Sequence, residues 1–390
     1  MRYIKKKLKP SLESKFSDLA RSLNKKKKIK YSLGLGEPAF NTPNSVINEA
    51  YKAMKLGFTR YSNPLGLKEL IDKIKYKSKK ENNIYYSGNS VIVTPGAKMA
   101  LTLALMSILK RGDEVIYFSP CYPSYLPQII LANDNVKPRE INLEKKDLSL
   151  NFEKLKKKIN SKTKAIIINS PHNPSGRMLS FSDFKNLERI LKKFPKCFLI
   201  TDEIYEKLNF SSKKHISAAS IRSIKNRTFT INGFSKSFSM TGWRIGYCIA
   251  NQKLIKKMSL IQQHINTNVP TFTQKAAIHT FKINLKFLKK YNLNLLKNYN
   301  FISDEFKNHK NIKVLNSDGG LFCFIDISNL RLKSDKFCYK LLKQYAIAAT
   351  PGLFFGDQWN NFIRISLAID NNKFKSAIKK LKKFVNNLKS

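Results

Sequence analysis

The sequence predicts an α/β protein with a largely parallel β-sheet covered by helices, followed by a smaller α+β unit. Between about residues 46 and 250, short apolar runs bounded by turn residues alternate with stretches of helical periodicity. This is the pattern of a parallel sheet that is buried on both faces. After Gln252 the chain changes to long helical stretches with fewer strands. We therefore expect an N-terminal arm at 1–45 that joins the small domain, a large domain at 46–285 and a small domain at 286–390.

The elements of the large domain follow from apolar spacing and turn residues. Apolar runs between turn signals predict strands at 91–93, 114–118, 165–169, 197–201, 228–231 and 245–250. Apolar residues at helical spacing predict helices at 45–56, 67–80, 97–109, 152–160 and 181–193. Ser45 is the predicted N-cap of the first of these helices, because a serine hydroxyl can accept from a free backbone amide.

The second unit combines helices with separated strands. Helical stretches run to about residue 308, and strands are predicted at 313–315, 321–327, 346–350 and 362–367. Further helices are predicted at 335–344 and 373–388, and a Gly-Gly pair at 319–320 predicts a turn. Strands grouped in this way, without regular βα alternation, indicate an α+β unit.

Composition restricts the class of protein. A chain of 390 residues with 42% hydrophobic residues and 26 phenylalanines is expected to fold and to bury large cores. The most apolar helical stretch, 101–109, is too short to cross a bilayer, so we expect no membrane partner. The basic N-terminus is followed by no apolar core, which predicts that there is no secretory signal. We therefore expect a cytoplasmic location.

The cysteines predict neither disulfides nor a metal centre. Five cysteines occur, none of them in a Cys-x-x-Cys pair, and most lie in apolar, strand-like surroundings. Buried, reduced thiols are the simplest interpretation of this pattern. No histidine and cysteine cluster has the spacing of a zinc site, so we expect no metal.

The net charge of +47 raises the question of a polyanionic partner. The lysines are spread along the whole chain, and clustering rather than total charge marks a binding face. The runs at 25–28 and 156–158 are the best candidates for such a face. Because no helix-turn-helix or aromatic RNA-binding motif is present, we expect no specific nucleic acid partner.

Polar residues collect where the predicted strands end. In open α/β sheets, ligands bind beyond the carboxyl ends of the strands. The segment TPGAK at 94–98 places a glycine turn before a helix, and amides at a helix N-terminus bind phosphate. The segment NSPHNPSG at 169–176 predicts a tight, non-helical loop whose Asn173 can donate to an anionic oxygen. Taken alone, the first segment fits a structural turn equally well, and a rigid turn is the structural alternative for the second.

Two further segments carry ionisable groups. In TDEIY at 201–205, Asp202 ends a buried strand, where a carboxylate requires a cationic partner such as a protonated pyridine nitrogen. The structural alternative for Asp202 is a helix N-cap. In SKSFSMTGWRIGY at 235–247, Lys236 lies among hydroxyl residues and Arg244 follows a Thr-Gly turn. A lysine with hydroxyls and an arginine suits a ligand with an aldehyde and a phosphate, which suggests pyridoxal 5'-phosphate (PLP).

Together these segments resemble class I/II aminotransferases of PLP fold type I, most of all the aspartate/aromatic aminotransferase group. The resemblance runs essentially end to end. It also includes GLGEP at 34–38, YSNPLGL at 61–67 and FIRIS at 362–366. It implies a large domain with a mainly parallel seven-stranded sheet that carries helices on both faces, a smaller α+β domain, PLP as cofactor and a homodimer.

The resemblance implies the roles of individual residues. The catalytic residues would be Lys236, Asp202 and Tyr205. Lys236 would be the Schiff-base lysine and the acid–base group, and Asp202 would pair with the pyridine nitrogen. Tyr205 would contact the phenolic oxygen together with Asn173. Tyr122 would stack on the cofactor ring. The phosphate would be held by Gly96, Ala97, Lys98, Ser235 and Arg244, joined by Tyr61 of the partner subunit. The substrate would be held by Arg364, which binds its α-carboxylate, with Gly36 and Asn173 nearby.

The sequence departs from the family pattern at three positions. Many relatives have an acidic residue in place of Ala39, asparagine in place of Ser170 and tryptophan in place of Tyr122. These departures put side-chain specificity in doubt and leave the reaction type unaffected. The apolar segment 353–355 with Trp359 fits either aromatic or large neutral substrates, or packing between the domains.

The implied activity is transfer of an amino group from an L-amino acid, either aspartate, an aromatic amino acid or another. The expected acceptor is a 2-oxo acid, 2-oxoglutarate above all, in a ping-pong reaction through pyridoxamine phosphate. The alternative on the same fold is PLP-dependent β-elimination or carbon–sulfur lysis, since cofactor motifs do not separate these reactions. A non-enzymatic polyanion-binding protein is the alternative from another class.

Overall fold

The computed structural model describes residues 30–388. Most of the predicted arm at 1–45 and the lysine run at 25–28 lie outside the described residues. Within the described residues, no helix is long and apolar enough to span a bilayer. All five cysteines are buried free thiols, which confirms that part of the sequence interpretation.

The larger sheet has seven strands. Its strands are β2 (Val91–Thr94), β3 (Glu114–Ser119), β4 (Lys137–Asn142), β5 (Thr163–Asn169), β6 (Phe198–Asp202), β7 (Thr228–Gly233) and β8 (Gly246–Ile249). Their order in the sheet is β2-β8-β7-β6-β5-β3-β4. Neighbouring strands from β4 to β7 are parallel, whereas β8 runs antiparallel to both β2 and β7. The mainly parallel seven-stranded sheet is therefore confirmed.

Helices cover both faces of this sheet. They are α1 (Asn44–Lys55), α2 (Lys68–Asn82), α3 (Ala97–Ile108), α4 (Tyr125–Ala132), α5 (Phe152–Lys158), α6 (Phe181–Lys193), α7 (Gln252–Ile265) and α8 (Thr271–His279). Successive strand residues point to opposite faces, so Val115 belongs to the core that contains residues of α3, α4 and α7, whereas Ile116 belongs to the core that contains residues of α5 and α6. This two-sided burial explains why the strands are apolar runs without polar alternation.

The C-terminal part of the chain forms the smaller α+β unit. Its antiparallel sheet has the order β12 (Thr350–Pro351), β13 (Phe362–Ser366), β10 (Phe322–Asp326) and β9 (Lys313–Val314). Helices α9 (Lys286–Phe306), α10 (Ser334–Tyr345) and α11 (Asn371–Asn387) pack on it around a separate core. The short strand β1 (Tyr31–Ser32) pairs in parallel with β11 (Ile347–Ala348). The exact domain boundaries, at 45/46 and 285/286, stay a prediction.

Strand β4 and helix α4 were not predicted, and three of the predicted details differ from the structure. The residue before α1 is Pro43 and Ser45 lies inside the helix, so the prediction of Ser45 as N-cap is wrong. The fixed φ of proline suits a position at the start of a helix. The predicted strand at 346–350 is divided into β11 and β12, which pair with different strands. Helix α11 begins two residues earlier than predicted, because Asp370 accepts hydrogen bonds from the amides of Asn372 and Lys373.

Candidate active site

A cavity of about 360 Å³ lies at the carboxyl ends of the central parallel strands. The ends of β5, β6 and β7 meet there with the N-terminus of α3 because parallel strands present their carboxyl ends at the same edge. Nine predicted site residues line the cavity: Ala97, Lys98, Tyr122, Asn173, Asp202, Tyr205, Ser235, Lys236 and Arg244. The exposed Arg244 lies at its outer edge.

Lys236 lies in the turn that follows β7, and its ammonium group faces the cavity. The Lys236 Nζ donates to the carbonyl oxygen of Gly36 at 2.7 Å. It also lies 6.0 Å from the centroid of the Tyr205 ring. The Gly36 segment, which precedes α1, therefore holds the lysine amine in place.

Asp202 is the last residue of β6 and its carboxylate is buried. Burial raises the pKa of Asp202 to about 6, although hydrogen bonds from Tyr125 and from the Ile204 amide oppose this change. The Tyr125 hydroxyl donates to Oδ2 at 2.8 Å, and the Ile204 amide donates to Oδ1 at 3.3 Å. A buried carboxylate of this kind gains most from a cationic partner. The structural alternative, a helix N-cap, is wrong because no helix begins at Asp202.

The loop after β5 fixes two asparagines beside Asp202. The Asn169 side-chain amide donates to the Asp202 carbonyl oxygen at 2.7 Å, and Asn169 Oδ1 accepts from the Asn173 backbone amide at 2.7 Å. Asn173 Oδ1 accepts from Arg364 Nη1 at 3.0 Å. Because the carbonyl half of the Asn173 side chain is engaged in this way, its Nδ2 is the atom suited to donate to a ligand oxygen.

The start of α3 forms a concave site with the turn after β7. Gly96 has a φ of +83°, and a Cβ at this position would lie 2.7 Å from Arg244 Nη2. Arg244 donates to the carbonyl oxygens of Thr241 and Pro95 at 2.8 and 3.4 Å, which holds its guanidinium at the mouth of the cavity. Helix N-terminal amides, the Ser235 hydroxyl and a guanidinium together suit a phosphate dianion.

Arg364 belongs to the smaller sheet and is almost completely buried. Its Nη2 donates to the Gly34 carbonyl oxygen at 2.9 Å, and its guanidinium carbon lies 4.0 Å from the centroid of the Phe322 ring. Arg364 does not line the cavity itself, but it contacts Asn173, which does. Arg364 thus connects the smaller sheet to the cavity wall.

The aromatic residues predicted around the cofactor have different positions. Tyr122 lines the cavity, packs edge-to-face on Tyr125 with 5.6 Å between ring centroids, and lies 5.5 Å below the Lys98 ammonium. Tyr61 is 87% exposed and lies outside the cavity of its own chain. Its predicted role through a partner subunit stays a prediction. Trp359 is fully buried and donates to the Ser119 hydroxyl at 3.0 Å, so its surroundings favour packing over substrate contact.

A group of carboxylate and imidazole side chains lies behind the end of β6, outside the cavity. Glu203, Glu206 and His215 have metal-ligand spacing. Within the described part of the chain, however, the Lys77 ammonium already contacts Glu206, and His215 Nε2 lies 3.1 Å from Glu203. These contacts are those of a buried ion-pair network, and the expectation of no metal stays a prediction.

Sequence reasoning missed one prominent contact of the site, that of the Tyr125 hydroxyl with Asp202. Tyr125 is the first residue of α4, a helix that the apolar periodicity did not reveal. Its position three residues after Tyr122 would place both rings on one side of a helical turn. That spacing is the signal that could have indicated it.

The donor set fits PLP. Asp202 can pair with a ring nitrogen, Lys236 carries the amine that an aldehyde requires, and α3, Ser235 and Arg244 present donors to a phosphate. These groups lie around one cavity that also contains Tyr122 and Tyr205. The ring nitrogen, the aldehyde and the phosphate of PLP would each find a different partner here, so the match between site and cofactor is chemically specific.

Comparison with known proteins gives the same class. The family model for aminotransferase class I and II matches residues 28–381. An aspartate aminotransferase of Sulfolobus acidocaldarius is 35% identical over 382 residues, which are 96% of this chain and 94% of that protein. A probable aspartate/prephenate aminotransferase of Rickettsia felis is 34% identical over 357 residues, which are 89% and 87% of the two chains.

A solved structure shares the fold. The aspartate aminotransferase from Rhizobium meliloti superimposes with a TM-score of 0.91 at 29% identity, covering 98% of this chain and 97% of that one. The chain therefore belongs to the class I and II aminotransferase family and has fold type I. Members of this family use PLP, and the chain is a PLP-dependent amino-acid aminotransferase.

Proposed function

We propose that this enzyme transfers the amino group of L-aspartate to 2-oxoglutarate in a ping-pong reaction. The observation that carries the proposal is that Lys236 and Asp202 face one cavity, with a phosphate-binding helix N-terminus at its edge. When bound, PLP supplies an electron sink that stabilises the carbanion formed at the substrate Cα.

Each residue of the site would have a role in the reaction that follows from its position. The Asp202 carboxylate keeps the ring nitrogen protonated, while Asn173 Nδ2 and the Tyr205 hydroxyl are placed to donate to the phenolic oxygen. Lys236 Nζ would take the proton from the substrate Cα and deliver it to the carbon that carries the aldehyde of free PLP, acting as base and then as acid. Arg364 and Asn173 orient the substrate through its α-carboxylate, because a guanidinium matches a carboxylate with two parallel hydrogen bonds.

The family resemblance implies that Lys98 holds the phosphate, but the position of its side chain supports a contact with the substrate and hence aspartate as the donor. Its side chain is an exposed cation that lines the cavity beside Tyr122. A second carboxylate on the substrate would find its counter-charge there. Relatives at 34–35% identity carry the names aspartate aminotransferase and aspartate/prephenate aminotransferase, which supports the same donor.

The test is the absorption spectrum of the purified holoenzyme, titrated with single amino acids and no oxo acid. We expect aspartate to convert the cofactor band to that of pyridoxamine phosphate, and 2-oxoglutarate to restore it. Release of ammonia and pyruvate without this conversion would instead support the β-elimination or carbon–sulfur lyase alternative. Absence of any cofactor band after addition of PLP, with salt-sensitive retention of nucleic acid, would favour the polyanion-binding alternative.

Replacing Lys98 tests the donor. We expect Lys98→Met to raise the KM for aspartate about tenfold or more and to leave the KM for a neutral amino acid within about twofold, since a charged hydrogen bond is lost only with aspartate. Lys164→Met is the matched control, because Lys164 also lies over an aromatic ring, 5.3 Å from the Phe198 centroid, but outside the cavity. An equal loss with both donors would assign Lys98 to the phosphate.

The proposed enzyme is a cytoplasmic homodimer. Exposed apolar side chains on and near α1, among them Tyr51, Leu56 and Tyr61, support an interface there, because large apolar groups at a surface indicate association. Its partners are an amino acid and a 2-oxo acid, without a specific nucleic acid or a membrane.

A further inference from the structure

The Asp202 carboxylate has a neighbour that the sequence did not indicate. This carboxylate accepts a hydrogen bond of 2.8 Å from the Tyr125 hydroxyl and a longer one of 3.3 Å from the Ile204 amide. Tyr125 is 3% exposed and lines the same cavity. A charge-assisted bond in a buried site of this kind is among the stronger hydrogen bonds in a protein.

We propose that Tyr125 is a positioning residue for the reaction: its hydroxyl keeps the Asp202 carboxylate charged and aimed into the cavity, so that this carboxylate can hold the protonated ring nitrogen of the cofactor. The proposal rests on the proposed function. It assigns to Tyr125 an action through Asp202 rather than direct contact with the substrate.

The Tyr125 hydroxyl keeps its proton and so remains a hydrogen-bond donor. Burial, followed by the neighbouring Asp202 charge, raises the pKa of the Tyr125 phenol well above its usual range. The phenol therefore keeps its proton at any physiological pH. Its ring is fixed because α4 begins at this residue and because the ring packs edge-to-face on Tyr122. The direction of the hydroxyl is thus set by the helix and by aromatic packing.

The carboxylate depends on this donor because burial favours its neutral form. Burial raises the pKa of Asp202 to about 6, and the hydrogen bond from Tyr125 opposes that rise. Without the hydroxyl, the pKa of Asp202 would rise further, and more of the group would be protonated at neutral pH. The charged groups that act on this carboxylate are Glu203, which favours protonation, and Lys236, which opposes it. The nearby titratable groups Cys121 and Tyr205 also raise the pKa of Tyr125.

The test compares two variants that each remove one buried hydroxyl. Tyr125→Phe removes the donor to Asp202 and keeps the ring. Tyr86→Phe is the matched control, because the Tyr86 hydroxyl is also buried and donates to the Lys225 carbonyl oxygen at 2.6 Å, away from the cavity. The dissociation constant for PLP is measured by equilibrium dialysis across pH 5 to 8 for the wild type and both variants, together with the thermal midpoint.

For Tyr125→Phe we expect the affinity for PLP at neutral pH to fall about tenfold. The pH below which affinity is lost should rise by about one unit, since a cofactor that binds the charged carboxylate loses affinity once Asp202 is protonated. The pH dependence of PLP affinity for Tyr86→Phe should match that of the wild type, because the Asp202 site is unchanged. Titration of the cofactor itself affects both proteins equally. In an Asp202→Asn background, adding Tyr125→Phe should change the affinity less than about twofold.

Each other outcome has a defined meaning. If Tyr125→Phe and Tyr86→Phe give the same pH profile, the inference is overturned while the proposed function stands. An undiminished effect of Tyr125→Phe in the Asp202→Asn background also overturns it, because the hydroxyl would then act by another route. If the wild type does not bind PLP at any pH, the failure belongs to the proposed function.

Discussion

At the scale of the residue, Lys236 shows how position selects one amine from a chain with 73 lysines and arginines. It is partly buried, donates to the Gly36 carbonyl oxygen and faces the carboxylate of Asp202 across the cavity. A lysine held in this way loses the freedom that a surface lysine keeps. The fixed position of the amine, rather than its charge alone, therefore suits it to covalent chemistry.

Lys236→Ala should abolish covalent attachment of PLP. Borohydride reduction followed by mass spectrometry should show the cofactor mass on a peptide that contains residue 236 in the wild type and on no peptide of the variant. We expect the rate of amino transfer to fall by at least about a thousandfold, since both nucleophile and proton carrier are lost. A variant that still cycled between amino acid and oxo acid would contradict this role.

Arg364→Lys tests whether geometry or charge matters in the predicted carboxylate site. The guanidinium donates to both Asn173 and Gly34 and lies against the Phe322 ring, and a lysine cannot reproduce these contacts together. We expect the KM for every amino acid to rise about tenfold or more, while the affinity for PLP stays unchanged. Steady-state kinetics with several donors measures the first value, and equilibrium dialysis measures the second. Loss of cofactor affinity would place Arg364 in a structural role instead.

At the scale of the element, the phosphate site depends on the packing of β8 against the start of α3. A Cβ at Gly246 would lie 2.5 Å from the Ala97 amide nitrogen and 2.7 Å from the Gly96 carbonyl carbon. Both contacts are with backbone, which cannot move aside as a flexible side chain can. The helix N-terminus is therefore held in place by the absence of a side chain on the neighbouring strand.

Gly246→Ala should displace the start of α3 and weaken binding of PLP about tenfold or more, with a loss of stability of about 1–3 kcal/mol from overpacking. Gly242→Ala is the matched control in the same segment, because a Cβ there meets nothing within 4 Å. Equilibrium dialysis and chemical unfolding measure the two effects. Equal behaviour of the two variants would show that the contact between β8 and α3 does not control the phosphate site.

Elements that are buried on both faces could be predicted, and exposed ones could not. The runs that became β5, β6 and β7 are apolar throughout, so burial and sequence agree. Strand β4 was missed because it lies at the edge of the sheet, where three of its six residues are charged and only Ile141 is buried. Helix α4 was missed because its eight residues are too few for a clear period.

The residues of the candidate site also divide into those that the sequence could predict and those that it could not. Residues that end apolar strands or occupy glycine turns, such as Asp202 and Gly96, could be identified from local pattern together with family resemblance. Tyr125 could not, because its importance depends on a contact with a residue 77 positions away in the chain. The contact of Arg364 with Asn173 spans 191 positions and depends on how the smaller sheet meets the larger one. Long-range contacts of this kind are set by tertiary packing, which local spacing does not encode.

At the scale of the whole molecule, the proposed dimer makes a strict prediction about Tyr61. Tyr61 is 87% exposed and outside the cavity of its own chain. If it completes the cavity of a partner, Tyr61→Ala and Lys236→Ala chains should each be impaired alone and should complement each other when mixed. A hybrid dimer would contain one site with Lys236 from one chain and Tyr61 from the other.

Equal mixing after reversible dissociation should restore about one quarter of wild-type activity, because half of the dimers are hybrids and each hybrid has one intact site. Mixing Tyr61→Ala with wild-type chains under the same conditions provides the control for subunit exchange. Activity that stays at the sum of the two separate variants, in spite of proven exchange, would show that Tyr61 does not serve a partner.

The order of the strands also has a consequence for protein synthesis. Strand β2 has β8 as its partner in the sheet, and Gly246, which receives the start of α3, follows Gly96 by 150 positions. At about 5–20 residues per second, a ribosome needs roughly 8–30 seconds to make the intervening chain. During that interval β2 lacks its partner strand β8, and the phosphate-binding turn at Gly96 lacks its contact with Gly246. A growing chain therefore cannot retain the cofactor until its eighth strand has left the ribosome.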